Sequence, residues 1–264
     1  MGARPAIGLF NALKLSVLGF LYLSTLSASS AEVLFNAGTR FIYEAEKAAE
    51  PLLVRNLSDK RYLLHSFLID PATERPSDDF IVLPEVLELA PNEARTLTVR
   101  RLGGHFPADR ESRLALIGHF IPAADNAKTT ADEEAGHTGH LSLAIAVEEK
   151  FFVRPAALRL PDAIETAAPL LKVRLTDRGL LLTNPTPYFL SFERVTINGL
   201  ALTRTVSGKD LDMVEPLSTL LIKVPAETVK EKAHTVTFRL INDAGYPTAD
   251  FVRTLTKPQA ERAE

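Results

Sequence analysis

The sequence predicts an all-β protein that consists of two β-sandwiches. Short segments with alternating apolar residues follow one another along most of the chain, which is typical of strands that bury one face. The 17 prolines and 13 glycines are spread out, which favours many turns. After residue 31, no segment has the apolar periodicity of a long amphipathic helix.

The composition limits the functions that are open to the chain. With 264 residues, of which 46% are hydrophobic, it is long enough for one or two domains with a substantial core. Its 30 basic and 33 acidic residues give a net charge of −3, so neither nucleic acid nor an anionic membrane is an expected partner. The chain has no cysteine, which excludes thiol catalysis, cysteine metal sites and disulfides.

Residues 1–31 predict a secretory signal peptide. Arg4 and Lys14 are the only charges, and the apolar run "LSVLGFLYL" that follows Lys14 is too short to span a bilayer. Small residues then lead to a cleavage site after Ala31. An uncleaved anchor is the less favoured alternative. Loss of the two positive charges would change the net charge from −3 to −5, and the mature protein is expected to be exported.

Strand patterns fill the first half of the mature chain. The fourth of them is interrupted by Pro84, and the polar segment "AADNAKTTADEEAGHTGH" before the last predicts a long loop. In chain order the segments read "EVLFNAGTRFIY", "PLLVRN", "RYLLHSFLID", "DDFIVLPEVLEL", "EARTLTVRRL", "SRLALIGHFIP" and "LSLAIAVEEKFFVRP".

The second half repeats this pattern. The segment "LLKVRLTDRGLLLTNPTPYFLSFERVTINGL" contains at least three strands, with turns at Arg178-Gly179 and Asn198-Gly199, and "STLLIKVP" and "HTVTFRLIND" follow. Between the halves, "RPAALRLP" interrupts the alternation. The boundary is therefore predicted near Pro155, which gives domains at residues 32–155 and 156–264.

No group of residues predicts catalysis. The chain has no nucleophile elbow, phosphate-binding loop or dinucleotide fingerprint. His137 and His140 lie beside Glu133 and Glu134, which leaves a metal site open as an alternative, but a solvated loop is favoured because no helix or strand would hold the ligands. We therefore expect no enzyme activity, no cofactor and no metal.

Several motifs together resemble the PapD-like periplasmic chaperones of the chaperone–usher pathway. They cover nearly the whole mature chain, and their order and spacing are more specific than any one of them. Ala115, Ile117 and Gly118 stand where the family prefers other residue types, which indicates a divergent branch. The matching segments are "GTRFIYEAEKAAEPLLVRN", "FIVLPEVLELAPNEARTLTVRRL", "FPADRES", "EKFFVRPAALRLP", "NPTPYFLSF" and "FRLINDAGYPT".

The resemblance implies two immunoglobulin-like domains set at an angle, with no enzyme activity. It implies pilus or fimbrial subunits and an outer-membrane usher as partners, and it allows self-association of the free protein. In the family, the last strand of the first domain completes a subunit that lacks a strand, which is a form of strand addition. Here that donor strand is predicted at residues 141–153, with the apolar row listed as Leu141, Leu143, Ile145 and Val147.

The direction of this apolar row is open from the pattern alone. The resemblance implies that the row faces outward, while the small residues Ser142, Ala144 and Ala146 pack on the domain's own sheet. Alternating apolar rows usually face inward, so the alternative is that the row belongs to the core.

The resemblance also assigns charged residues. Arg40 and Lys150 match a cleft pair that binds the C-terminal carboxylate of a subunit, although from spacing alone each would be a solvated strand charge. Glu111, Arg154 and Asp243 match a set of interdomain salt bridges. An exported two-domain adhesion or binding module is the alternative function.

Overall fold

The structure, a computed structural model, describes residues 33–35, 38–123, 144–231 and 233–256. In these ranges regular structure is almost entirely β-strand, and it forms two sandwiches of two sheets each, so the predicted fold class is confirmed. None of the helices in these ranges could cross a membrane. The predicted signal peptide, Leu141, Leu143, His137 and His140 lie outside the described residues.

The first sandwich packs a four-stranded sheet on a six-stranded sheet. The sheets have the strand orders β1-β3-β8-β6 and β2-β10-β9-β4-β5, with β7 also paired to β4. The strands are β1 (Val33–Phe35), β2 (Arg40–Glu44), β3 (Ala49–Asn56), β4 (Tyr62–Asp70), β5 (Arg75–Pro76), β6 (Phe80–Leu83), β7 (Val86–Leu89), β8 (Ala94–Arg101), β9 (Ser112–Pro122) and β10 (Ile145–Arg154).

Aromatic rings fill the space between these two sheets. Phe151 of β10 stacks on Phe41 of β2 with 5.4 Å between ring centroids, and its ring meets the edge of Phe80 at 5.2 Å. Tyr43 packs edge-on against Phe80 at 5.0 Å. Stacked and edge-to-face pairs of this kind add to the free energy gained by burying the rings, so β2 and β10 are firmly held by the core.

The predicted strand in "EVLFNAGTRFIY" is two strands that belong to different sheets. β1 pairs antiparallel with β3, whereas β2 pairs parallel with β10. The chain therefore passes from one sheet to the other between Phe35 and Arg40. The sequence pattern did not assign these strands to sheets, because the alternation of apolar residues is the same whichever sheet a segment joins.

Gly118 of β9 is required by close packing. A Cβ at this position would lie 2.6 Å from ring atoms of Phe35 and 2.9 Å from the ring of Phe120. The absence of a side chain lets the buried ring of Phe35 cross from the opposite sheet. Gly118 is one of the three positions at which the sequence departs from the family preference, and this packing supplies a physical reason.

The second sandwich packs a three-stranded sheet on a five-stranded sheet. Their strand orders are β11-β12-β16 and β14-β13-β17-β18, with β15 also paired to β13. The elements are α1 (Ala163–Ala167), β11 (Lys172–Thr176), β12 (Gly179–Asn184), β13 (Leu190–Ile197), β14 (Leu200–Ala201), β15 (Met213–Val214), β16 (Ser218–Ile222), α2 (Ala226–Val229), β17 (Ala233–Leu240) and β18 (Phe251–Thr256), with 3-10 turns at Ala156–Leu158 and Ala168–Leu170.

Both predicted turns of the second half lie between paired strands. Gly179 begins β12 with φ 140°, directly after the turn from β11. Asn198 and Gly199 join β13 to β14 with φ values of 50° and 82°, a conformation that asparagine and glycine tolerate best. The domain boundary at Pro155 and the cleavage after Ala31 stay predictions.

Candidate functional site

Arg40 and Lys150 lie side by side at the start of the β2–β10 pairing. The parallel register sets their Cα atoms directly opposite one another, so their side chains leave the sheet on the same face. Arg40 is 5% exposed, and the side chain of Lys150 is 21% exposed. Two cations that are this close and this poorly hydrated repel each other and favour a bound anion.

The guanidinium of Arg40 is held by the second sandwich and by an aromatic ring. Its Nη1 donates to the carbonyl oxygen of Ile241 at 3.1 Å, and the group lies 5.6 Å from the ring centroid of Phe152. Its Nε is buried and has no hydrogen-bond partner among the described residues. Burial lowers the pKa of Arg40, and the charges of Asp243, Glu111 and Asp212 oppose this.

The ammonium of Lys150 contacts two side chains of the second sandwich. It forms an ion pair with Asp212 and donates to the hydroxyl oxygen of Ser191 at 3.3 Å. Burial lowers the pKa of Lys150, the hydrogen bond and charge of Asp212 raise it, and the charge of Arg40 lowers it further. In the free protein Lys150 is therefore a partly dehydrated cation with an internal carboxylate as its counter-ion.

The two glutamates that precede Lys150 do not contact its amine. Glu148 is exposed and lies 3.7 Å from Arg113. Glu149 points to the opposite face of β10 from Lys150 and is 5% exposed, and its Oε2 has no hydrogen-bond partner in the described ranges. Burial raises the pKa of Glu149 to about 8, and no charged group contributes.

Two members of the predicted donor row, Ile145 and Val147, are half-buried and pack against the core of the first sandwich. They share a face of β10 with Phe151, whereas Ala144 and Ala146 are exposed. The expectations that the apolar row faces outward and that the small residues pack on the domain's own sheet are therefore wrong for these four residues. The donor role of the row stays a prediction.

One edge of β10, next to the cation pair, lacks a partner strand in the described part of the chain. β9 pairs with β10 from Ile145 to Val153, but β2 pairs only with its last five residues, from Lys150 to Arg154. On that side no described strand pairs with Ile145–Glu149. Backbone groups along such an edge can bind an added strand.

Arg154, Glu111 and Asp243 form one ion-pair network. Arg154 Nε donates to Glu111 Oε1 at 2.6 Å, while its two terminal nitrogens donate to the Asp243 carboxylate at 2.5 and 2.8 Å. Glu111 Oε2 also accepts the backbone N–H of Phe189 at 2.8 Å. Burial acts to lower the pKa of Arg154, but the hydrogen bonds and charges of Asp243 and Glu111 outweigh it and raise that pKa.

The two motifs quoted from the second half supply several of the contacts to β2 and β10. "NPTPYFLSF" contributes Phe189, whose ring stacks on Phe152 of β10 at 5.3 Å between centroids, and it also contributes Ser191. "FRLINDAGYPT" contributes Asp243 and the carbonyl of Ile241. The motifs therefore lie where the second sandwich meets the end of β10.

Asp212 and Ser191 were not predicted as site residues. Asp212 lies in the polar stretch "SGKDLDMVEP", which has no pattern, and it is 62 residues from Lys150 in the chain. No sequence signal links the two. The described residues contain no group of three or more histidines, aspartates or glutamates that could hold a metal ion, and the alternative site at His137 and His140 lies outside them.

A strand edge without a described partner, half-buried apolar side chains and two poorly hydrated cations beside it are typical of proteins that bind an extended chain by strand addition. The comparisons with known proteins agree with this class. Residues 34–159 match the N-terminal domain, and residues 166–250 the C-terminal domain, of the PapD pilus-assembly chaperones. The chain belongs to this family, and it is a chaperone of pilus assembly.

Individual relatives support the assignment. The chain is 30% identical over 231 residues to the chaperone protein FimC of Escherichia coli K12, which covers 87% of each chain. A chain in the solved complex of the Salmonella enterica SafA pilin with the SafB chaperone has a TM-score of 0.70 and 25% identity, covering 87% of this chain and 99% of that one. The periplasmic chaperone SfaE has a TM-score of 0.62 and 25% identity, with 83% and 98% covered. These relatives are chaperones, which favours that function over the adhesion module.

Proposed function

We propose that the protein captures pilus subunits by donating β10 to them while Arg40 and Lys150 bind the subunit's C-terminal carboxylate. The observation that carries the proposal is the edge of β10 from Ile145 to Glu149, which has no partner among the described strands and ends where the cation pair begins. A strand added along this edge would bring its end to the two cations. Backbone pairing and anchor would then form one continuous binding surface.

The side chains of β10 suit such a complex. Ile145 and Val147 are only partly covered by the core of the first sandwich, so apolar surface remains for a client to bury. Complete burial of an aliphatic side chain contributes about 1.5–3 kcal/mol. Leu141 and Leu143 would extend the same row toward the start of the donor strand.

The carboxylate anchor has a physical rationale in burial and charge. Arg40 has a buried Nε that lacks a partner among the described residues, and Lys150 has only a half-exposed counter-ion. A terminal carboxylate would give both cations a charge-assisted hydrogen-bond acceptor. It would also define the register of the added strand, which matters because a slip of one residue turns every side chain to the wrong face.

The partners and the compartment follow from the relatives and from residues 1–31. A solved relative forms a complex with a pilin, and another is a periplasmic chaperone. We infer that this chain is exported through its predicted signal peptide, acts in the periplasm and passes its clients to an outer-membrane usher. The network of Glu111, Arg154 and Asp243 would hold the two domains at the angle that client binding needs.

The anchor is tested with a synthetic peptide of alternating valine and threonine, prepared with a free C-terminal carboxylate and as the C-terminal amide. The wild type should bind the carboxylate form more tightly. Lys150→Ala should weaken that form by roughly 2 kcal/mol or more and leave the amide form nearly unchanged. Lys150→Arg should keep part of the preference, and Lys223→Ala, which removes an exposed cation elsewhere, should keep all of it.

The donor edge is tested by cross-linking, because the chain has no cysteine of its own. Ala146→Cys places a thiol on the exposed face of β10, and a cysteine in the middle of the peptide should form a disulfide with it. Leu63→Cys is the matched control, since Leu63 is exposed on the same sheet but its strand β4 has neighbours on both sides. Equal cross-linking at both positions, or equal affinity for acid and amide peptides, would contradict the proposed function.

A further inference from the structure

In the free protein, the carboxylate of Asp212 forms an ion pair with the amine of Lys150, the lysine of the proposed carboxylate anchor. We propose that Asp212 is an internal substitute for the client's terminal carboxylate, so that a client must displace it and Asp212 thereby sets the affinity and selectivity of the anchor. This inference rests on the proposed function, because it assigns a competitor to the carboxylate site of Arg40 and Lys150.

The backbone of Asp212 is held in place while its carboxylate remains accessible. Its carbonyl oxygen accepts the N–H of Phe192 at 2.8 Å, and the next residue, Met213, pairs with Ser191 of β13. Ser191 is buried, and its hydroxyl oxygen accepts from Lys150 at 3.3 Å. The second sandwich therefore directs the Asp212 carboxylate to the same ammonium group that Ser191 contacts.

The ion pair between Asp212 and Lys150 is weak enough for another carboxylate to replace Asp212. The side chain of Asp212 is 48% exposed, and its ion pair with Lys150 is its only one among the described residues. The Arg154–Asp243 pair differs, because it has two hydrogen bonds and a nearly buried arginine. A half-exposed pair with one contact is weak, so another carboxylate can replace it and leave Asp212 hydrated.

The charges at the site explain why Asp212 would make the anchor selective for some carboxylates over others. Arg40 and Lys150 carry two positive charges, and Asp212 reduces the local charge to +1. An incoming carboxylate would therefore meet one net charge, and it would be repelled by Asp212 as it approaches Lys150. An anion alone gains little from this exchange. A client that also pairs with the open edge of β10 gains enough to complete it.

The experiment compares Asp212→Asn with the wild type, using the acid and amide forms of the valine–threonine peptide. Asp212→Asn should bind the acid form roughly threefold to tenfold more tightly and the amide form about equally. Asp212→Glu should behave like the wild type. Asp210→Asn is the matched control for lost charge, because Asp210 is 83% exposed and lies 3.5 Å from Arg204 rather than at the anchor.

Each outcome distinguishes the competitor from other roles. If the wild type prefers the acid form and Lys150→Ala loses that preference, but Asp212→Asn does not strengthen it, the competitor role is wrong and the anchor stands. If Asp212→Asn weakens both forms and lowers the melting temperature, Asp212 is a structural clamp and the inference is wrong. If the wild type does not distinguish acid from amide, the anchor itself fails, and the inference fails with it.

Discussion

Arg154 and Asp243 are joined by two parallel hydrogen bonds of 2.5 and 2.8 Å, from the last residue of β10 to the turn after β17. The arginine is nearly buried, and its Nε is bound by Glu111. Asp243 therefore supplies the second carboxylate that binds Arg154, a cation that has almost no access to water. The loss of such a partner leaves a buried charge uncompensated.

We expect Asp243→Ala to lower the free energy of unfolding by roughly 3 kcal/mol, because Arg154 would stay buried with half its partners. Asp250→Ala is the matched control. Asp250 also binds arginine nitrogens at 2.7–2.9 Å, but its partners Arg194 and Arg239 are 42% and 30% exposed. The control should destabilise much less, because exposed ion pairs contribute little to stability. Urea unfolding curves measure both, and equal losses would show that burial of Arg154 is not decisive.

Gly118→Ala should destabilise the first sandwich by about 1–3 kcal/mol, because the new methyl group overlaps the ring of Phe35. The comparison is Gly103→Ala, where a Cβ would meet nothing within 4 Å and the backbone is not left-handed. The free energy of unfolding of that variant should lie within about 0.5 kcal/mol of the wild-type value. In a background that carries Phe35→Leu, Gly118→Ala should lower the free energy of unfolding by less than it does in the wild type. Additive losses in this cycle would contradict the proposed overlap.

Glu149 should make stability depend on pH. Its pKa is raised to about 8 by burial, from an ordinary value of 4.5, so the folded protein keeps a proton that the unfolded chain loses between these values. The stabilising effect of protonated Glu149 is complete below about pH 4.5 and is lost as the pH rises toward 8, by at most about 1.4 kcal/mol per pH unit.

Glu149→Gln cannot ionise, so its stability relative to the wild type should increase from pH 5 to pH 8 and then level off. Thermal melts of both proteins across this range measure the difference. Glu148→Gln is the matched control for the loss of a carboxylate, because Glu148 is exposed on the opposite face of β10. A constant difference between Glu149→Gln and the wild type would mean that Glu149 is not buried in solution.

His234→Leu should raise the melting temperature. His234 is 2% exposed, and neither of its ring nitrogens has a hydrogen-bond partner in the described part of the chain. A buried polar group without a partner costs about 1–3 kcal/mol, which an apolar side chain of similar size avoids. His234→Asn keeps a polar group at the position and should not stabilise. A lower melting temperature for the leucine variant would indicate a hydrogen bond that the structure does not contain.

Alternating apolar residues were enough to predict most of the strands, because the two faces of a strand repeat every second residue. The turn residues at Arg178-Gly179 and Asn198-Gly199 added two strand ends. Alternation gave no information on which sheet a strand joins, so the placement of β1 and β2 in different sheets could not be predicted. β18, with the sequence "FVRTLT", and the two-residue strands were not predicted, since short segments at a sheet edge have little pattern to detect.

The direction of the β10 side chains could not be predicted from the sequence either. Phe151, Phe152 and Val153 are all apolar, so the run has no phase that distinguishes inside from outside. The structure explains why: Phe151 and Val153 belong to the core of the first sandwich, whereas Phe152 stacks on Phe189 of the second. Both faces of this strand end are buried, each against a different sandwich.

By itself the sequence determined the all-β class, the motifs of the family and the candidate residues Arg40, Lys150 and Arg154. Only the tertiary structure decided what surrounds them. It paired Arg40 with the carbonyl of Ile241 and Lys150 with Asp212, across 201 and 62 residues of chain. Local patterns follow from the geometry of one strand, whereas these contacts depend on how two sandwiches pack, and no spacing along the chain encodes that.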